Sequence, residues 1–89
     1  MTAAPITVFI PTQLRNYTGG KTSVPAHGAT IDEALRDLDA RYPGIRFRVI
    51  DEQNRIREHV RIFADGDRAL TTAAPVKGEL HVFGALTGG

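Results

Sequence analysis

The 89-residue sequence has no cysteine and no tryptophan. Without cysteine there is no disulfide framework, no thiolate nucleophile and no Cys-ligated metal, a usage that agrees with a reducing cytosol. No apolar run approaches the ~18 residues of a membrane span, and Met1 to Pro5 lacks a basic segment followed by an apolar one, so neither a span nor a secretory leader is expected. An excess of one charge is also missing. Eleven basic against ten acidic residues give a net charge of +1, far from the strongly basic footprint that nucleic-acid binding needs. The chain therefore reads as a cytoplasmic protein with no nucleic-acid partner and no membrane partner. Its length allows one small domain, burying about 60 to 65% of the unfolded surface and leaving little room for an active-site cleft.

Catalytic signatures are missing too. Gly19-Gly20-Lys21-Thr22 resembles the end of a phosphate-binding loop, but the required earlier glycine is replaced by Arg15, and Ser23-Val24-Pro25 follows where a helix should begin. A hairpin turn accounts for the glycines. His27, His59 and His81 have no metal-ligand spacing and are expected on the surface or on strand faces, so no metal is expected. Arg46, Arg48, Arg55, Arg57 and Arg61 are interrupted by Asp51, Glu52 and Glu58, and read either as a solvated surface or as a docking patch for an acidic partner. No Ser-His-Asp or paired-carboxylate arrangement can be argued, so the chain by itself is not expected to be an enzyme.

What is present is a set of clear periodicities. Ile6-Thr7-Val8-Phe9-Ile10 alternates as a strand, and after the turn formers of Asn16 to Gly20 a second strand runs to about Pro25 in a hairpin with the first. Thr30 and Glu33 form a capping box that opens a helix carrying Ile31, Leu35, Leu38 and Tyr42 on one face and ending at Pro43-Gly44. Asp32 with Arg36, and Asp37 with Arg41, form exposed i,i+4 pairs. Ile45 to Val49 alternates and predicts a short strand, Val60 to Ala64 another, and Glu79 to Leu86 the last, with Arg68 to Val76 irregular. This order predicts an α+β domain of the β-grasp type, a mixed sheet with one main helix across one face. Its expected core is Ile6, Val8, Ile10, Val60, Ile62, Leu80 and Val82 against Ile31, Leu35 and Leu38.

The sequence ends at Thr87-Gly88-Gly89, read as a flexible tail (87–89) on a domain spanning 1–86. Two terminal glycines arise by chance in about one sequence in a hundred of this composition. A tail without Cβ atoms can lie extended in a narrow tunnel. At pH 7 its end is a carboxylate, with an ordinary pKa of about 3.5, able to attack the α-phosphate of ATP when both are held in place. In that reading Gly89 is the reactive residue, Thr87 and Gly88 are its tether, and a partner supplies catalysis. The protein itself binds no cofactor, and ATP is consumed by the partner.

Nearly the whole chain resembles the ubiquitin-like sulfur-carrier family, the MoaD/ThiS/CysO-like carriers of molybdopterin, thiamine and cysteine biosynthesis. The resemblance rests on V-F-I-P-T-Q-L-R-N-Y-T-G-G, T-I-D-E-A-L-R-D-L, R-I-R-E-H-V-R-I-F and G-A-L-T-G-G, and the first of these is most similar to the cysteine-biosynthesis carriers. It implies adenylation of Gly89 by an E1-like enzyme, conversion to a thiocarboxylate, and sulfur donation to a biosynthetic acceptor enzyme, with a metalloprotease as a further partner in the cysteine route. Two other functions share this sequence pattern: a ubiquitin-like modifier joined to lysines through Gly89, and a non-covalent β-grasp interaction module.

Strict alternation also sorts the aromatics. If Ile6, Val8 and Ile10 face the helix, then Phe9, Phe63 and Phe83 face away from it, and with Leu86 they would form a partner-binding surface beside the tail. The competing expectation is that Arg68 to Val76 folds over this face and buries it as a minor core.

Overall fold

The computed structural model describes residues 4–84. β1 (Ile6–Phe9) is followed by a 3-10 helix (Thr12–Thr18), β2 (Ser23–Ala26), the main helix α1 (Ile31–Arg41), a one-turn helix α2 (Arg46–Val49), β3 (Val60–Ala64), β4 (Asp67–Ala69) and β5 (Glu79–Gly84). The five strands form one mixed sheet in the order β2-β1-β5-β3-β4. The central pair, β1 with β5, is parallel, and the other pairings are antiparallel. This is the β-grasp arrangement, with α1 across one face.

Helix α1 starts where its cap chemistry requires. The Thr30 hydroxyl accepts the Glu33 N–H at 3.2 Å, and the Glu33 carboxylate accepts a backbone N–H at 2.8 Å. That second donor is Ala29, one residue before the N-cap, so the box is one residue wider than its usual form. Both i,i+4 pairs are present, Arg36 to Asp32 at 3.0 Å and Arg41 to Asp37 at 2.9 Å. All ten residues expected in the core are buried, and Ile31, Leu35, Leu38, Ile62, Leu80 and Val8 are among its largest fully enclosed side chains. Each such Leu or Ile contributes about 1.5 to 3 kcal/mol relative to an exposed position.

Two connections differ from the sequence reading. β1 and β2 do pair as a hairpin, but they are joined by the 3-10 helix, which drops Leu14 into the core and ends at Gly19 with φ of 69°. The Thr18 hydroxyl lies 3.1 Å from the Arg15 carbonyl and 3.0 Å from that of Lys21, sharing one proton between them, which holds this connection closed. The strand expected at Ile45 to Val49 is a helical turn. Asp39 accepts the backbone N–H groups of Gly44 at 3.0 Å and Arg46 at 3.2 Å, which fixes the start of that turn. Ile45 and Val49, four residues apart, then both enter the core while Phe47 is exposed. Alternation over five residues fits either period, and the Asp39 anchor decides it.

Arg68 to Val76 is not wholly irregular, because Asp67–Ala69 pairs with β3. The rest runs along the start of α1. Ala74 and Thr72 carbonyls accept the N–H groups of Ile31 and Asp32, satisfying donors that a helix N-terminus leaves unpaired. Val76 donates to the Ala29 carbonyl and is buried. This segment therefore lies against α1 and does not cover the opposite sheet face, contrary to the minor-core expectation.

The turn between β3 and β4 is locked by Asp65, which sits at φ of 53°. Its carboxylate accepts the backbone N–H groups of Lys77 at 2.8 Å, Gly78 at 2.8 Å and Glu79 at 3.0 Å. The Glu79 N–H, then those of Lys77 and Gly78, hold the Asp65 carboxyl below the usual 3.8, assisted by the charge of Lys77. A depressed carboxylate stabilises the fold above its unfolded pKa, and this stabilisation is lost as pH falls through the lower folded value. Asp65→Asn is thus expected to lower the unfolding temperature at pH 7. The gap to the wild type should narrow progressively below about pH 4, where the aspartate is itself protonated in the unfolded chain. Thermal unfolding of both proteins at pH 7 and pH 3 checks this, and an equal gap at the two values would show that the charge does not matter.

Candidate functional site

The sheet face opposite α1 carries the side chains that alternation turns outward from β1, β3 and β5. In the register of the sheet Phe9 stands beside His81, His81 opposite Phe63, and Arg61 opposite Phe83. Phe9 and His81 stack with ring centroids 4.2 Å apart and planes 10° apart. Phe63 meets Phe83 edge-on at 5.7 Å, and His81 lies nearly parallel to Phe83 at 6.2 Å. Aromatic contacts of this kind hold ring positions with about 0.5 to 1.5 kcal/mol each beyond area burial. The result is a continuous aromatic platform across three strands.

Its members are not equally exposed. Phe9, Phe63 and His81 are half-buried against one another, whereas Phe83 is 53% exposed. The His81 Nε2 atom also lies 3.2 Å from a Glu79 carboxylate oxygen, which orients the imidazole within the stack. His81 is the residue that sequence reasoning missed. Its place two residues before Phe83 puts both rings on one face of β5, a relation that spacing to His27 and His59 does not reveal. Beside the platform a shallow depression is lined by Thr12, Arg15 and Gly84 together with Phe9, His81 and Phe83. Exposed aromatic side chains bordered by polar groups are a feature shared with protein-binding surfaces.

The other candidate residues are placed as follows. Leu86, Thr87, Gly88 and Gly89 lie outside the described residues, and β5 is the strand that leads to them. The five arginines do not form one patch. Arg46 turns inward, with its side chain 13% exposed, and donates to the Asn54 side chain at 3.1 Å. Arg55 pairs with Asp51 at 3.3 Å, and Arg61 donates to the Glu58 carbonyl at 2.8 Å. Arg48 and Arg57 line another groove at the end of the sheet. Gly19 and Gly20 both adopt positive φ in the turn before β2, as a hairpin connection requires. Among the described residues no helix is long and apolar enough to cross a membrane.

No protein-family model matches the chain. Individual relatives do. The sulfur carrier protein CysO of Mycobacterium tuberculosis is 34% identical over 91 residues, covering 94% of this chain and 98% of the relative. The same figures hold for CysO of Mycobacterium bovis. Among solved structures, a chain of the Amycolatopsis orientalis BexX/CysO complex superposes with a TM-score of 0.85 at 34% identity, covering 94% of this chain and 99% of that one. Mycobacterium tuberculosis CysO gives a TM-score of 0.81 at 32% identity over 91% of this chain and 99% of that one. Small archaeal modifier protein 1 from Haloferax volcanii shares the fold, with a TM-score of 0.75 at 24% identity over 96% of this chain and 99% of that one. Identity spread over almost the full length, on a common β-grasp sheet, shows that this chain belongs to the ubiquitin-like sulfur-carrier family and is CysO-like within it.

Proposed function

We propose that this CysO-like sulfur carrier holds its sulfur as a thiocarboxylate on Gly89. The observation that carries the reading is the 34% identity to sulfur carrier proteins over nearly their whole length. The chemistry is a two-step exchange. The Gly89 carboxylate oxygen attacks the α-phosphate of ATP on an E1-like enzyme, forming an acyl-adenylate as pyrophosphate leaves. A sulfur nucleophile then adds to the acyl carbon, forming the C–S bond as the C–O bond breaks and AMP departs with the bridging oxygen and the electron pair of that bond. The carrier lends the carboxyl group and its side-chain-free tether, and the enzyme contributes the nucleotide site and the positioning that makes attack efficient. A biosynthetic acceptor enzyme then takes the sulfur, with a metalloprotease as a further partner in the cysteine route.

The aromatic platform is the surface by which the activating enzyme grips the carrier. Phe83 supports this, since it is exposed, ordered by its neighbours, and on the strand that continues towards Gly89. Phe9 and Phe63 brace it.

Incubation with a cognate E1-like enzyme, ATP and a sulfide source is expected to exchange one oxygen for sulfur at Gly89. Methionine oxidation at Met1 gives almost the same mass change, so the product is to be located by fragmentation and trapped with a thiol-selective alkylating agent. Modification confined to Met1 or to a lysine would overturn the reading.

A further inference from the structure

A groove of about 340 Å³ lies where β5 ends, between the 3-10 helix, α2 and the start of β3. Its floor is apolar, formed by Pro11, Leu14, Val60 and Val82. Among the described residues its lining carries the guanidinium groups of Arg48 and Arg57, with His59 beside them, and no carboxylate. In a chain that is nearly neutral overall, that concentration sets the field locally. The Arg57 Nε atom donates to the Phe47 carbonyl at 2.8 Å, which fixes the guanidinium at the rim with its two terminal nitrogens outward of that bond. Arg48 makes no side-chain hydrogen bond or ion pair among the described residues. Phe47 is 45% exposed at the same rim, and the Arg46 guanidinium packs 5.1 Å from its ring centroid.

We propose that this groove binds an acidic segment of a partner protein, one in which carboxylates flank an aromatic or aliphatic side chain. The apolar floor takes the hydrophobic side chain, and Arg48 and Arg57 take the carboxylates, since a guanidinium matches a carboxylate with two parallel hydrogen bonds. Gly84 also lines the groove, so a segment seated there lies at the root of the tail. The partner is thereby one that works on the tail, and this clause rests on the proposed sulfur-carrier chemistry. The groove adjoins the depression beside the aromatic platform, with Pro11, Val82 and Gly84 lining both, but has a different charged lining. Phe83, His81 and Phe9 are absent from its lining, so the two surfaces can be occupied by different parts of one partner or by successive partners.

The test is an NMR titration of the ¹⁵N-labelled protein with the capped peptide Asp-Glu-Phe-Glu-Asp-Leu and with its neutral counterpart Asn-Gln-Phe-Gln-Asn-Leu. Amide shifts are expected at Leu14, Phe47, Arg48, Arg57, His59 and Val60 with the acidic peptide, and binding of the neutral one should be roughly tenfold weaker. The double variant R48E/R57E should lose the response. Because Arg57 also holds the Phe47 carbonyl, R48E alone, at an exposed position, serves as the second variant, and retained spectral dispersion reports its fold. Equal binding of both peptides, shifts centred on Phe83, or an unchanged response in R48E would each overturn the proposal. Inorganic pyrophosphate producing the same shifts in competition with the peptide at equal affinity would reveal a small-anion site and overturn it as well. The titration needs no activating enzyme, so its failure with Gly89 still converted to a thiocarboxylate refutes the groove and leaves the carrier chemistry standing.

Discussion

Removing Gly89 is expected to abolish thiocarboxylate formation while leaving thermal unfolding unchanged. The truncated chain still ends in a glycine carboxylate, so the chemical group survives and only its reach changes. One extended residue spans about 3.3 to 3.6 Å. A misplacement of only about 1 Å at a reacting centre can cost a hundredfold in rate, so withdrawal by a whole residue should remove detectable product. Stability should not follow, because a glycine has no side chain to bury and the core among the described residues is already built from Ile6 to Val82. The measurement pairs thiol-selective alkylation of the product with a melting curve. A truncated protein activated at a comparable rate would refute the Gly89 assignment. A protein modifier would fail in the same assay, whereas a non-covalent interaction module would lose nothing in partner binding, and pulling down partners with the truncated chain separates that class from the other two.

The parts of this fold that the sequence disclosed are those in which side-chain period and cap chemistry agree. β1, α1 and β3 each bury an uninterrupted set of residues at period 2 or 3.6, and Thr30 with Glu33 marks the start of the helix within one residue. The misreading of Ile45 to Val49 has a definite cause, since the deciding group, Asp39, lies within α1 and acts across a turn that no local pattern records. The same holds for Asp65, whose three acceptor bonds reach twelve to fourteen residues forward. For the candidate site, alternation correctly sent Phe9, Phe63 and Phe83 to one face, because it follows from the pleat alone. It did not report their different exposures, which depend on register: Phe9 and Phe63 flank His81 on its two sides, whereas Phe83 lies across from Arg61 near the strand end. The basic groove was legible only in part: the arginine run suggested a patch for an acidic partner, but not which two of the five arginines meet. Arg48 and Arg57 stand nine positions apart and converge only because α2 replaces the expected strand.

Phe83→Ala is expected to weaken binding of the activating enzyme by roughly 1 to 4 kcal/mol, a loss of about fivefold to a thousandfold, with little change in folding stability. The two effects can be separated because of where the ring lies. A buried Phe replaced by Ala costs about 3 to 5 kcal/mol through lost transfer energy and an unfilled cavity. Phe83 is 53% exposed, its ring edge-on to Phe63 at 5.7 Å, so truncation leaves no enclosed cavity and removes mainly the aromatic pair. That pair contributes about 0.5 to 1.5 kcal/mol. Leu80, on the opposite face of the same strand and fully buried, is the internal comparison: Leu80→Ala should cost about 2 to 5 kcal/mol of stability and disturb binding only as far as the folded fraction falls. Denaturant unfolding and calorimetric titration with the E1-like enzyme under native conditions give both quantities for each variant. If Phe83→Ala unfolds as readily as Leu80→Ala yet binds normally when folded, the platform is a packing feature of the sheet and the partner grips elsewhere. If binding falls while stability holds, the face that alternation turned away from the helix is the one that the enzyme reads.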